Sequence, residues 1–181
     1  MFDNNSLIWK LRHGNKNEAL WCIYTKYKDD LVTLACALLN DRSDAEDVIH
    51  DVFVSFIRSA GEFKFINLRA YLSTCVANNV RNRNKALRRH RTVPVDDTKP
   101  VSKENNNPDA SVILSEELQQ LNHSLAQLPY EQREVIALHL LGRMKFRKIS
   151  EMQGVCISTI QSRYQYGLKR LRLILNGEAV K

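Results

Sequence analysis

Phe146-Arg147-Lys148-Ile149-Ser150-Glu151-Met152-Gln153-Gly154-Val155-Cys156-Ile157-Ser158-Thr159-Ile160-Gln161-Ser162-Arg163 is the stretch on which the reading of the fold turns. Its first eight residues compose a short helix, Gly154-Val155-Cys156 a tight turn, and a second helix begins at Ile157. Gly154 is free to take the left-handed conformation that a sharp turn between helices requires, and small Ser150 allows the helices to approach. Beyond the turn, Ile157, Ile160, Tyr164, Leu168, Leu171 and Leu175 recur on one narrow stripe at the helical period. The opposite face carries Thr159, Ser162, Arg163, Tyr166, Lys169 and Arg170, and no acid occurs from Val155 to Gly177. This is helix-turn-helix grammar. Apolar inside, with hydroxyls and guanidiniums outside, suits a rigid rod whose donors meet phosphates and base edges in a major groove. An ordinary amphipathic surface helix shares the periodicity but leaves the turn glycine and the acid-free face unexplained.

Working outward, the same 3.6-residue period holds through the rest of the chain. Leu20, Ile23, Tyr24, Tyr27, Leu31, Leu34 and Leu38 mark a helix over 18–39. Asp41-Arg42-Ser43-Asp44 is a turn and cap, and the helix after it, to about Ser59, has the apolar face Ala45, Val48, Ile49, Val52, Phe53 and Phe56. Gly61 ends that helix, Asn67 is a good N-cap, and a third helix runs from Leu68 to about His90 on the stripe Leu68, Leu72, Cys75, Val76 and Val80. Further helices are expected near 111–127, 130–141 (with Pro129 at its start), 145–152 and 157–175. Glycine is scarce and no alternating β-branched strands occur, so the expected class is all-α.

Proline placement divides the chain. None occurs from Met1 to Val93; then Pro94, Pro100 and Pro108 fall among Asp96, Asp97, Ser102, Glu104 and three consecutive asparagines, a composition that reads as an extended linker. Residues 1–93 hold fifteen Lys/Arg against ten Asp/Glu, 94–112 two against four, and 113–181 ten against six, so two basic blocks flank an acidic tether. The expectation is two small helical domains, 1–92 and 113–181, joined by a flexible Pro/Asn/Asp-rich linker over 93–112, the second a helix-turn-helix. A net charge of +7 and a pI near 9.3 favour an anionic polymer as partner. The longest apolar run, Leu31–Leu39, contains Thr33 and is too short to cross a bilayer, and Met1–Ser6 lacks the basic head and apolar block of a signal peptide, so a cytoplasmic chain without membrane insertion is expected. Cys22, Cys36, Cys75 and Cys156 lie far apart in apolar surroundings with no metal-ligand spacing, and read as free thiols filling core. Neither a metal nor another cofactor is expected. No glycine-rich phosphate loop, G-x-S-x-G, H-E-x-x-H or paired-carboxylate signal is present, so the chain does not read as an enzyme and no catalytic residue is assigned.

Two further constellations bear on function. Arg81, Arg83, Lys85, Arg88, Arg89 and Arg91 place six bases in eleven positions, with Asn78, Asn79, Asn82 and Asn84 interleaved and Phe63, Phe65 and Tyr71 upstream. Bases with aromatic rings on which to stack suggest melted or single-stranded DNA, although a basic run alone is more often a solvated face. Asp44, Asp47 and Asp51 share one side of the 44–59 helix, with Asp41 and Glu46 close by, and would repel phosphate. A protein partner accounts for them; so would solubility or compensation of the helix dipole.

In this order, the constellations resemble a family. Asp44-Ala45-Glu46-Asp47-Val48-Ile49-His50-Asp51-Val52-Phe53 is similar to the D-A-E-D-h-x-Q-[DE]-[TV]-F block of bacterial sigma factors of the extracytoplasmic-function group, in the sigma-70 superfamily, with His50 for the usual Gln. Leu68-Arg69-Ala70-Tyr71-Leu72 and Val76-Ala77-Asn78-Asn79 resemble h-R-A-W-L-x-x-h-A-x-N, with Tyr71 for Trp. Leu125-Ala126-Gln127-Leu128-Pro129-Tyr130-Glu131-Gln132-Arg133-Glu134-Val135 resembles L-x-x-L-P-x-x-x-R-x-h, and Ser158-Thr159-Ile160-Gln161-Ser162-Arg163 resembles G-T-V-K-S-R, with Gln161 for Lys.

The resemblance implies an alternative sigma factor that binds core RNA polymerase and directs promoter-specific transcription initiation. It assigns Asp44, Glu46, Asp47 and Asp51 to docking on the β′ clamp. It gives Phe63, Phe65, Asn67, Tyr71, Asn78, Arg81, Arg83, Lys85, Arg88 and Arg89 to capture of the melted −10 element. Ser158, Thr159, Gln161, Ser162, Arg163, Tyr166, Lys169 and Arg170 fall to the −35 element, with the β flap as a neighbour. Promoter DNA and core polymerase are thus the implied partners, and an anti-sigma factor is the further partner such proteins take. Two rivals stand beside this reading. A helix-turn-helix regulator binding duplex DNA without polymerase leaves the acidic face unexplained, and an RNA-binding adaptor leaves the helix-turn-helix idle.

Overall fold

The computed structural model describes residues 4–39, 41–59, 67–91 and 112–177. Among them the chain is entirely helical: α1 (Asn4–His13), α2 (Lys16–Leu39), α3 (Arg42–Ser59), α4 (Leu68–Arg91), α5 (Val112–Ala126), α6 (Tyr130–Leu140), α7 (Phe146–Gln153) and α8 (Ile157–Leu175). The seven helices expected from periodicity are present with bounds within about two residues. The first is an addition. Its ten residues are mostly polar, but Leu7 and Leu11, one turn apart, are buried against α2. The linker and residues 60–66, with Gly61, Phe63 and Phe65, lie outside the described residues.

The N-terminal helices pack by their apolar stripes. All six stripe residues of α3 are buried, as are Ile23, Tyr27, Leu31, Leu34 and Leu38 of α2 and Leu68, Leu72, Val76 and Val80 of α4. Each side chain of this size removed from water contributes about 1.5–3 kcal/mol, which is what holds three polar-faced helices together. Asp41 starts α3 by accepting from the Asp44 amide at 2.9 Å, and Asn67 starts α4 by accepting from the Ala70 amide at 3.1 Å.

In α6, five consecutive residues, Glu134, Val135, Ile136, Ala137 and Leu138, are all buried. A helix buried on every side has neighbours on every side. α8 lies against one flank, and α2 and α4 against another. The two helical domains expected from the sequence are both present, and the C-terminal helices sit directly on the N-terminal ones. The core is continuous across that contact, from Leu34 and Val76 to Val135 and Leu138.

Candidate nucleic-acid and protein interfaces

The acidic face of α3 is exposed as its pattern requires, with Asp44, Glu46, Asp47 and Asp51 opposite the buried stripe. It is not wholly free of cations. Arg42 pairs with Glu46 at 3.1 Å, and Arg83 of α4 reaches Asp44 Oδ1 at 3.0 Å and Asp47 Oδ2 at 3.8 Å. Exposed pairs of this kind contribute about 0–1 kcal/mol each, so a partner's lysine or arginine can displace them. Asp44 also lies in the first turn, where an acid complements the helix dipole.

Along α4, Asn67, Tyr71, Asn78, Arg81 and Lys85 recur at three-, four- and seven-residue intervals and so share one side, adjacent to the buried stripe. Asn67, Asn78, Lys85 and Arg89 are exposed; the side chain of Arg88 lies outside the described residues. Tyr71 is half-buried, its ring 6.2 Å from Phe56, and burial together with Cys75 pushes its phenol above the usual tyrosine range. Arg81 and Arg83, expected on the DNA side with the rest, are both half-buried and engaged elsewhere. Arg83 turns to α3 and Arg81 to α6.

The helix-turn-helix closes as expected. Gly154 has φ 66°, and its amide and that of Val155 donate to the Ser150 carbonyl at 2.9 and 3.3 Å, which ends α7. Ile160 and Leu171 anchor α8 in the core, but Ile157 and Leu175, at the ends of the stripe, are exposed. A close approach of α8 to α6 lies at Gly167, where an added Cβ would stand 2.7 Å from Ile136 Cδ1. On the outer side Ser158, Gln161, Ser162, Tyr166 and Lys169 are exposed, while Thr159, Arg163 and Arg170 are half-buried. Cys156 is a correction. It is exposed rather than core, and hydrogen bonds from Ser158 (3.1 Å) and Thr159 (2.9 Å) lower its thiol to about 7.

A polar relay that the sequence did not disclose links the two halves. Glu134, 3% exposed, accepts from Arg81 Nε at 2.7 Å and Arg81 Nη2 at 3.0 Å, from Gln153 Nε2 at 2.9 Å and from Tyr130 Oη at 3.3 Å. Arg81 also donates to the Met152 carbonyl at 3.3 Å, and Arg163 donates to Gln153 Oε1 at 2.7 Å. Arg69 supplies a second crossing, with one nitrogen on Asp30 at 2.8 Å and another on the Leu141 carbonyl, at the end of α6, at 3.1 Å. Burial, reinforced by the Glu134 charge, holds the Tyr130 phenol well above its usual range. Nothing in the sequence marks Glu134 as a partner of Arg81, since fifty-three positions separate them.

Among the described residues no helix is long and apolar enough to cross a membrane. Comparison with known proteins places these elements. Residues 23–92 match the family model of sigma-70 region 2, and residues 118–171 that of sigma-70 region 4. The ECF RNA polymerase sigma factor SigM of Mycobacterium tuberculosis is 26% identical over 155 residues, 84% of this chain and 75% of that protein. The RNA polymerase sigma factor SigV of Bacillus subtilis is 24% identical over 174 residues, 93% and 98% of the two chains. Two solved structures share the fold. RpoE of Bartonella quintana, in complex with the anti-sigma factor NepR, superimposes with a TM-score of 0.64 at 22% identity, covering 88% of this chain and 98% of that one. CnrH, in complex with the cytosolic domain of CnrY, gives 0.65 at 19% identity, covering 96% and 97%. With regions 2 and 4 in order and a shared all-helical fold, the chain belongs to the sigma-70 superfamily, as an alternative sigma factor of the extracytoplasmic-function group.

Proposed function

We propose a division of labour for the surfaces of this sigma factor, which binds core RNA polymerase and directs promoter-specific transcription initiation. The observation that carries it is the segregation of charge: an exposed acidic face on α3 and an outer face of α8 that is free of acid. The first repels phosphate and fits a basic protein surface, the β′ clamp; the second fits the −35 major groove, with the β flap beside it. Asn67, Tyr71, Asn78, Arg81, Arg83, Lys85 and Arg89 of α4 take the −10 strand, Asn and Tyr meeting bases and the cations meeting phosphates. Phe63, Phe65 and Arg88 belong to this surface by sequence. The protein works in the cytoplasm without catalysis of its own, and an anti-sigma factor is its third partner, as for the Bartonella quintana protein. The test is co-purification with core polymerase followed by promoter-directed transcription. Polymerase-independent, sequence-specific operator binding at physiological salt would instead make it a stand-alone helix-turn-helix regulator.

A further inference from the structure

We propose that the cleft between α4, α6 and the helix-turn-helix is a binding site for a small phosphorylated molecule, a nucleoside diphosphate in chemical class, gripped by Lys85 and Arg163. The inference goes beyond the division of surfaces given above and does not depend on it, since it needs only the lining of the cleft.

The cleft has a volume of about 420 Å³, inside the range of roughly 300–1,000 Å³ typical of small-molecule sites. Its charge is unbalanced. Arg81 and Glu134 cancel each other, because the carboxylate takes both prongs of the guanidinium at 2.7 and 3.0 Å. Lys85 of α4 and Arg163 of α8 also line the cleft, and among the described residues neither has a carboxylate within ion-pair distance. Arg163 gives one nitrogen to the Gln153 amide oxygen at 2.7 Å. A neutral acceptor orients the guanidinium and leaves its charge unanswered. Gln153 is itself oriented by its bond to Glu134 at 2.9 Å, so the fork of Arg163 is held in place in advance of any ligand. Two cations brought into one cleft repel each other, and an anion set between them relieves that repulsion. The guanidinium presents a fork that matches phosphate and the ammonium a compact point charge, so together they suit a diphosphate better than a single carboxylate.

The remaining lining selects for a ring on the phosphate. Tyr130 and Val155 supply apolar surface, and Asn84 is a half-buried amide. Glu131, at the start of α6, is exposed and borders the same cleft. An ionised carboxylate only accepts hydrogen bonds. Glu131 therefore repels a bare phosphate and takes the amino group of a nucleobase, which favours an amine-bearing nucleotide over an inorganic anion.

Isothermal titration calorimetry of the full chain with adenosine diphosphate as probe should give one site per chain. Removing a charged hydrogen-bonding partner costs about tenfold in affinity, so Lys85→Ala and Arg163→Ala should each weaken the probe by about that factor. Lys85 is exposed, so Lys85→Ala leaves the packing untouched. Lys28→Ala removes an exposed cation of α2 outside the cleft and should leave the affinity unchanged. Inorganic pyrophosphate should bind more weakly than adenosine diphosphate, and Glu131→Gln should narrow the gap between them. No saturable binding, an equal loss with Lys28→Ala, or an affinity that survives Lys85→Ala each overturns the site. Pyrophosphate bound as tightly as the nucleotide, or a gap unmoved by Glu131→Gln, overturns the assignment to a nucleoside diphosphate.

Discussion

At the scale of single residues, two positions carry sharp expectations. Gly167 lets α8 lie on α6, and a methyl group there would stand 2.7 Å from Ile136 Cδ1 and 3.1 Å from Gln132 Cβ. Replacing a helical glycine by alanine gains about 1 kcal/mol of helix propensity. Forcing a methyl into packed core costs about 1–3 kcal/mol, and Ile136, 2% exposed, has little room to yield. Overpacking wins, so Gly167→Ala should lower the urea midpoint; a raised midpoint would refute the close approach. Cys156 titrates in a different way from the half-buried Cys36 and Cys75. Hydroxyl donors from Ser158 and then Thr159 favour its thiolate and bring it to about 7, whereas burial pushes Cys36 and Cys75 up. Iodoacetamide labelling of Cys156 should thus be slow below pH 7, where the thiol is protonated, and rise through a midpoint near 7. Ser158→Ala should move that midpoint upward. A parent profile rising only in the ordinary cysteine range would remove the hydrogen-bonded thiolate.

At the scale of elements, α8 separates reading from positioning. Ser162 and Arg163 lie near its start, where such helices reach base edges, and Lys169 and Arg170 lie about two turns later, where the helix leaves the groove. Once released from Gln153, Arg163 can make a bidentate base contact, so Arg163→Ala should cost about 1–3 kcal/mol of binding and relax preference at one −35 position. Lys169→Ala should weaken all promoters alike. Ile160, fully buried, is the control, and Ile160→Ala should cost about 2–5 kcal/mol of stability. Transcription from a randomised −35 library by polymerase carrying each variant checks the pair; identical promoter ranking with Arg163→Ala would make Arg163 a phosphate clamp. The acidic element is tested by reversing Asp47 and Asp51 to Lys. Both are exposed and off the apolar stripe, so stability should move by less than about 1 kcal/mol. Retention by immobilised core polymerase should fall severalfold, and undiminished retention would dismiss α3 as the docking helix.

At the scale of the whole molecule, the decisive feature is the contact between region 2 and region 4. It buries α6 between α8 and the N-terminal helices and brings Arg69 and Arg81 across to it. The free protein should accordingly bind promoter DNA weakly and with steep salt dependence. Each surface meets only a few phosphates, and every phosphate neutralised releases a counterion whose return at high salt weakens the complex. With polymerase bound, both surfaces are held at once and their effective concentrations rise, so promoter-specific binding should appear. Titrations at two salt concentrations with and without core polymerase check this. Tight specific binding by the free chain at physiological salt would contradict it.

Seven of the eight helices, the turn at Gly154 and the two opposed charge characters were legible in the amino-acid order, because each rests on local physics. Periodicity decides which face is buried, Asp41 and Asn67 start helices from their own side chains, and Gly154 takes a positive φ wherever the helix-turn-helix sits. The motifs naming the family are local for the same reason. What only tertiary structure decided are the partners of long-range charges. Arg81 reads as one base among six, and Glu134 as an acid in an apolar run; nothing local pairs them, because the pairing depends on how two helix sets dock across the linker. The buried run from Glu134 to Leu138 did carry a trace of that docking, since a helix apolar on all sides needs cover on all sides. Cys156 illustrates the same limit at one residue. Its apolar neighbours suggested core, but its place at the mouth of α8 leaves it in solvent, with Ser158 and Thr159 setting its proton affinity.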